Sequence, residues 1–565
     1  MPALDSSRNP QTSAAAPEIG GWRVRLYFLS RNPHVLFWTA VVILVLGVFI
    51  GRRMEPGHDA DDFDAPSAAM AGGFSADDDD DDDDDGRERV NLNAELKKTR
   101  PEFTRVIDAL HWQETDDENA ATTVLKKLEA SRLPQDEILI AAAYWASITS
   151  KLDEPGADLL VLAYQAHPLP RTNELAGDLY AASGREALAL EHYQKELLVH
   201  PDSQGTVRKL VDFYWEKEDF AKLGELQANP AYASGFTPNQ TLEIAAKAHD
   251  WKGTLGPLWT LQKKAFENKV PVFLTAVAGL LWLILAWQMV QIPGLLNFRT
   301  IAPLVAIVLG AASTFPVLFL DIVQRELWDL KHTGMFLNDC VFLIAGVGVR
   351  EEFCKWLAFL PLFPVLMMRR SRLEVVIFAG CVGLGFAIEE NVSYFTMSSN
   401  PATAFGRFLT ANFFHFAATG LIGVAFYDSV LDWRKKWWKF PFTFVVVALA
   451  HGFYDAFIGV PRYVFIAIGL SCFMLLSLAF FREVSRERGP ATDQLFPGAT
   501  LIVGLSLLVA TVIVCAARQS GVDFALAAVA SSGVFLSLFI YMFFILFRDG
   551  LVEDEEIPEV KFNIG

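Results

Sequence analysis

The groups best suited to chemistry in this sequence lie where its composition is most apolar. Glu351-Glu352-Phe353-Cys354-Lys355 puts two adjacent carboxylates and an ammonium into a hydrophobic stretch, with Glu351 and Lys355 four residues apart on one helical face. Further along, Glu389-Glu390-Asn391 ends an apolar run, with Tyr394 one turn beyond Glu390; His415 is followed at four-residue steps by Thr419 and Gly423, and His451 is followed by Asp455. Two adjacent carboxylates in a low-dielectric site cannot both ionise cheaply, which divides them into a proton donor and a base, the division peptide hydrolysis needs. A histidine can stabilise the oxyanion or protonate the leaving amine. The same Glu and His side chains are zinc ligands, and the residues alone leave both chemistries open. The HExxH signature is absent, and no serine or aspartate pair in these stretches offers a better nucleophilic centre.

Roles follow from type and spacing. Glu351, Glu352, His415 and His451 form the candidate catalytic set, and the same four are the ligands if a metal is present. Lys355 reads as a neutralising counter-ion, Glu390 and Asn391 as supporting groups, and Asp455 as a partner that orients His451. Glu389, near the end of its run, faces water or joins the site.

Elements that would hold these groups must cross a membrane. A helix needs about 20 apolar residues to span the hydrocarbon, and such runs lie near 34–51, 270–291, 299–320, 337–366, 375–396, 408–427, 440–459, 461–481, 498–516 and 525–547. The expected fold class is therefore all-α, a polytopic membrane protein of about ten spans with a helical soluble domain. A charge at mid-membrane costs roughly 2.5–3.5 kcal/mol on insertion scales, so four successive charged spans point to function. Counted from span ends, Glu390, His415 and His451 sit about 9–12 Å deep, which predicts one shared cavity in the outer half of the bilayer. Basic loops around Arg369, Arg434 and Arg482 alternate with poorer ones. This predicts both termini in the cytoplasm and residues 54–268 outside it.

The domain reading is a cytoplasmic tail (1–33), an anchor (34–51), an acidic linker (52–95), a helical domain (96–268), a membrane catalytic domain (269–485), added spans (486–547) and a tail (548–565). The net charge of -18 is dominated by the run Asp77 to Asp85. Such a run repels itself and reads as a linker, and it argues against a nucleic-acid partner. All five cysteines lie in apolar segments, so no disulfide framework is expected. In the soluble part, Gly177, Tyr180, Ala189, Tyr193 and Pro201 fall at tetratricopeptide offsets, and Tyr214 follows Tyr180 by one 34-residue period. Because one repeat cannot bury its own apolar face, neighbours are expected from about 100 to 265.

Over residues 270–480 the chain resembles the PrsW family, within the wider group that includes the CAAX prenyl endopeptidases. The family's EExxK motif appears as Glu351 to Lys355, its FAxxEN motif as Phe386 to Asn391, a His with following Thr and Gly at His415, and HxxxD as His451 to Asp455. The resemblance implies a polytopic endopeptidase of the bacterial cytoplasmic membrane that cleaves membrane-associated proteins, anti-sigma factors among them, with Glu351, Glu352 and His451 as the catalytic core. The expected form is the glutamate protease, which requires no cofactor; a zinc-dependent protease using the same side chains as ligands is its rival. The lipid bilayer, a membrane-protein substrate and a protein held by the tetratricopeptide-like region are the expected partners. Outside enzymes, the sequence also admits a receptor or scaffold that binds partners through its repeats, or a proton pathway.

Overall fold

A computed structural model describes residues 26–55, 90–111, 113, 118–149, 160–161, 165, 169–291, 297–397, 401–459, 463–488 and 496–547. The acidic run, the tails and part of the 52–95 linker lie outside the described residues. Among the described residues there is no strand, and the chain divides into a unit of residues 1–74 with 262–565 and a unit of residues 75–261.

The second unit is a set of short helices. Leu92–Leu96, Phe103–His111, Glu118–Glu129 and Gln135–Thr149 come first, then α2 (Thr172–Ala182), α3 (Glu186–Val199) and α4 (Gln204–Glu216), numbered after α1 (Pro33–Arg53) of the other unit. The core joins Trp145, Tyr180, Tyr193 and Tyr214, and each large apolar side chain removed from water stabilises by roughly 1.5–3 kcal/mol. α2 and α3 approach closely because Gly177 has no side chain, so the Tyr193 ring lies against its backbone. The Tyr193 hydroxyl donates to Asp178 Oδ1 at 2.8 Å. Glu196 accepts from the backbone N–H of Arg171 at 2.7 Å and of Asn173 at 3.1 Å, tying the end of α3 to the start of α2. His192 is buried beside Asn173, and its burial lowers its pKa.

The first unit is an all-α, polytopic membrane protein. Among the described residues, seven helical segments are long and apolar enough to cross a membrane, and they are Pro33–Arg53, Lys269–Met289, Phe298–Trp328, Arg372–Thr396, Ala404–Leu431, Ala467–Arg488 and Pro497–Ser520. They belong to α1 (Pro33–Arg53), α6 (Lys269–Met289), the pair α7 (Phe298–Ala312) and α8 (Thr314–Trp328), α10 (Arg372–Met397), α11 (Pro401–Leu431), α13 (Tyr463–Arg488) and α14 (Pro497–Ser520), with α5 (Leu255–Ala265), α9 (Val349–Phe359), α12 (Lys439–Gly459) and α15 (Val522–Phe547) filling the numbering. Asparagines start several of them. Asn32 Oδ1 accepts from His34 and Val35 N–H with Pro33 at the first helical position, and Asn297 Oδ1 accepts from Arg299 N–H.

Of the ten runs read from the sequence, 337–366 departs most from a simple span. It is built from Phe336–Val341, a π-helical Phe342–Gly348, α9 and then Phe363–Arg369. A π-turn shifts the register by one residue, and such turns recur at functional sites. Here it directly precedes Arg350-Glu351-Glu352. α12 and α15 are helical along the last two runs outside the seven.

Close backbone contacts fix the centre of this unit. A Cβ at Gly348 would enter the Ala448 carbonyl of α12, and one at Gly452 would enter the backbone of Ile344 in the π-turn. Gly452 follows His451 directly, so this contact sets the distance between the glutamate pair and that histidine. A Cβ at Gly383 of α10 would enter the carbonyl of His415 on α11. With no gain from leaving water inside lipid, packing of this kind holds the bundle together.

Candidate active site

α9, α10, α11 and α12 bring the predicted acid and histidine groups into one buried cluster. Lys355 Nζ lies 3.0 Å from Glu351 Oε2, 3.0 Å from Glu352 Oε1 and 2.8 Å from His415 Nδ1. An ammonium has three donors and no acceptor. All three are used, and His415 Nδ1 therefore accepts, leaving the ring proton on Nε2. That Nε2 is 3.0 Å from Glu390 Oε2, and the same oxygen lies 2.7 Å from an Arg407 terminal nitrogen. Both pairs are at ion-pair distance with angles too poor for hydrogen bonds, so these atoms count among the buried unsatisfied groups.

His451 is oriented from the other side. Its Nδ1 lies 2.8 Å from Glu352 Oε1, so Nδ1–H donates to the carboxylate, and the Nε2 lone pair is left 3.5 Å from Glu351 Oε2 and 3.3 Å from Asp455 Oδ2. The two imidazoles meet edge to face at 4.9 Å. Glu352, Lys355, His415 and His451 are at most 1 % exposed, whereas the side chains of Glu390 and Asp455 are 18 % and 15 % exposed and form the accessible edge.

Not every expected contact occurs. Asn391 is buried but turns to Asn412, 3.4 Å away. Thr419 and Gly423 continue the His415 face as packing, against Gly383 and Ala379 of α10. Glu389 does not face water: it is buried, and its Oε1 accepts from Gln262 at 2.9 Å and from Ser393 at 3.0 Å. Arg350 points away from the cluster to Asp321 of α8 at 2.8 Å. Sequence reasoning gave Arg407 no role in the site. The available signal was its position eight residues before His415, two turns back on the same face of an apolar helix.

Glu351, His415 and His451 each offer a ligand atom, and these atoms lie within 4.8 Å of one another. The orphaned His451 Nε2, with its Nδ1–H held by a carboxylate, is the arrangement of a metal-ligating histidine. The donor set fits zinc.

No curated protein matches the chain. Residues 300–481, which include every group of this cluster, match the model of a family described as PrsW family intramembrane metalloproteases, and that similarity supports a membrane protease function for the multi-pass unit.

Proposed function

We propose that the chain is a membrane endopeptidase that hydrolyses peptide bonds of membrane-associated proteins with the help of one zinc ion held by Glu351, His451 and His415, the last through Nδ1 in place of its bond to Lys355. The observation that carries this reading is the buried triad of Glu351, His415 and His451, whose ligand atoms lie within 4.8 Å of one another. Zinc bound there supplies a Lewis acid for the scissile carbonyl and an acidified water. Glu352 fixes the tautomer of His451 through Nδ1–H. Lys355 neutralises the glutamate pair and limits their repulsion. Asp455 and Glu390, on the accessible edge, are placed to pass a proton between the site and water.

A specific observation favours a second, metal-free reading. Lys355 Nζ already occupies the point where Glu351, Glu352 and His415 converge, and the His451 Nε2 lone pair can itself take a proton from water while a glutamate protonates the leaving amine. Metal content, with cleavage by purified protein in liposomes, separates the two. Zinc near one per chain, absent from His451→Ala, with cleavage lost to a chelator and restored by zinc, supports the metal form. Cleavage without bound metal supports the glutamate form, and equal cleavage by wild type and His451→Ala rejects both.

The resemblance in the motifs extends the proposal to the bacterial cytoplasmic membrane, with both termini in the cytoplasm, and to anti-sigma factors as a substrate class. Gly177 seated under Tyr193, with Tyr214 one period beyond Tyr180, supports a tetratricopeptide-like reading of residues 96–268. Such a domain would select protein substrates.

A further inference from the structure

Arg407 is 3 % exposed inside an apolar helix, where an arginine costs roughly 2.5–3.5 kcal/mol on insertion scales, so its place needs a reason. Its guanidinium is gripped by two residues of α10 one turn apart: the plane lies 4.1 Å above the Tyr394 ring, and a terminal nitrogen lies 2.7 Å from Glu390 Oε2. That same Oε2 is 3.0 Å from His415 Nε2. On the opposite nitrogen, Lys355 donates to Nδ1 at 2.8 Å. His415 is thus held between a cation at one nitrogen and a carboxylate at the other, and the carboxylate is fixed in turn by Arg407.

We infer that Arg407 is a positioning residue that sets the tautomer of His415 through Glu390, keeping the proton on Nε2 and Nδ1 turned toward Glu351 and Glu352. Arg407 touches none of the glutamate pair directly in this arrangement. Arg407, with its guanidinium carbon 4.1 Å from the Tyr394 ring centroid, holds the charge of Glu390 beside Nε2, and a carboxylate charge next to one imidazole nitrogen favours the proton on that nitrogen. The inference rests on His415 belonging to the site proposed above, but it concerns the ring's proton and not turnover.

The test is nitrogen NMR of the full-length chain in detergent micelles, labelled with 15N-histidine and freed of metal by chelator, with His415 assigned from the spectrum of His415→Gln. Wild type is expected to show a single His415 tautomer with Nε2 protonated. Arg407→Gln should give a mixture of the two tautomers, and Arg407→Lys, which keeps the charge beside Glu390, should restore much of the wild-type pattern. Glu390→Gln has the size of the native side chain and should also mix the tautomers; where Arg407→Gln does not fold, this variant decides. Unchanged His415 nitrogens in the folded variants overturn the inference. Because no substrate is used, a protein that proves to cleave nothing can still show the predicted tautomer, and an active protease can still fail this test.

Discussion

The Nδ1 atom of His451 lies 2.8 Å from Oε1 of Glu352, and both side chains are fully buried. The contact joins the motif of α9 to the motif of α12 across 99 residues of sequence. In the proposed site it gives the two glutamates different roles, Glu351 as ligand and Glu352 in orienting a histidine. Glu352→Gln should therefore lower metal affinity by roughly 10- to 100-fold without unfolding the protein, while Glu351→Gln should remove binding altogether. Zinc titration of purified variants checks the order; equal losses contradict the division.

Lys355 is the only cation in direct contact with both glutamates among the described residues. Lys355→Met should destabilise the membrane unit by about 3–5 kcal/mol, because a buried pair loses one partner. Adding Glu352→Gln to that variant should recover part of the loss. Thermal unfolding in detergent reads both, and a double variant no more stable than the single would show that Lys355 matters by shape and not by charge.

The glycine contact between the π-turn and α12 sets the spacing of Glu351 and His451. Gly452→Val forces the Ile344 backbone away and should cost about 1–3 kcal/mol as overpacking, with a larger proportional loss of proteolysis than of folded protein. Cleavage per folded molecule is the measurement. A variant that loses only yield would place no catalytic weight on the π-turn.

In the second unit, burial lowers the pKa of His192, with Lys195 acting in the same direction and Glu191 against it. A depressed histidine contributes stability above its ordinary range and loses it as the pH falls. Glu196 has the opposite sign, since burial raises its carboxyl despite two backbone donors and the neighbouring His200; its protonation on acidification relieves a cost. Amide protection factors in α2 and α3, corrected for the intrinsic slowing of exchange in acid, should fall as the pH drops from about 7 to 5, and His192→Gln should flatten that dependence. Equal pH dependence in both proteins would exclude His192 as the cause.

How much of this was legible in sequence depends on the range of the interaction. Glu351, Lys355, His451 and Asp455 were readable because a four-residue step puts side chains on one helix face, and charge inside an apolar run is conspicuous. The break of 337–366 into a π-turn was hidden, since Phe342 to Gly348 has the composition of any apolar helix and only its contact with Gly452 demands the altered register. Burial of Glu389 depended on Gln262, 127 residues away, and no local pattern announces such a partner. Arg407 was missed for a related reason: a lone basic residue near a span end has the same sequence signature whether it meets water or a buried carboxylate.

The most direct test of the central claim needs no known substrate. Liposomes holding a bacterial membrane proteome, incubated with purified wild type or with His451→Ala, are compared by mass spectrometry of newly formed N-termini. The account predicts new termini in membrane-associated proteins with wild type and none above background with His451→Ala. Identical sets of termini from the two proteins would contradict it.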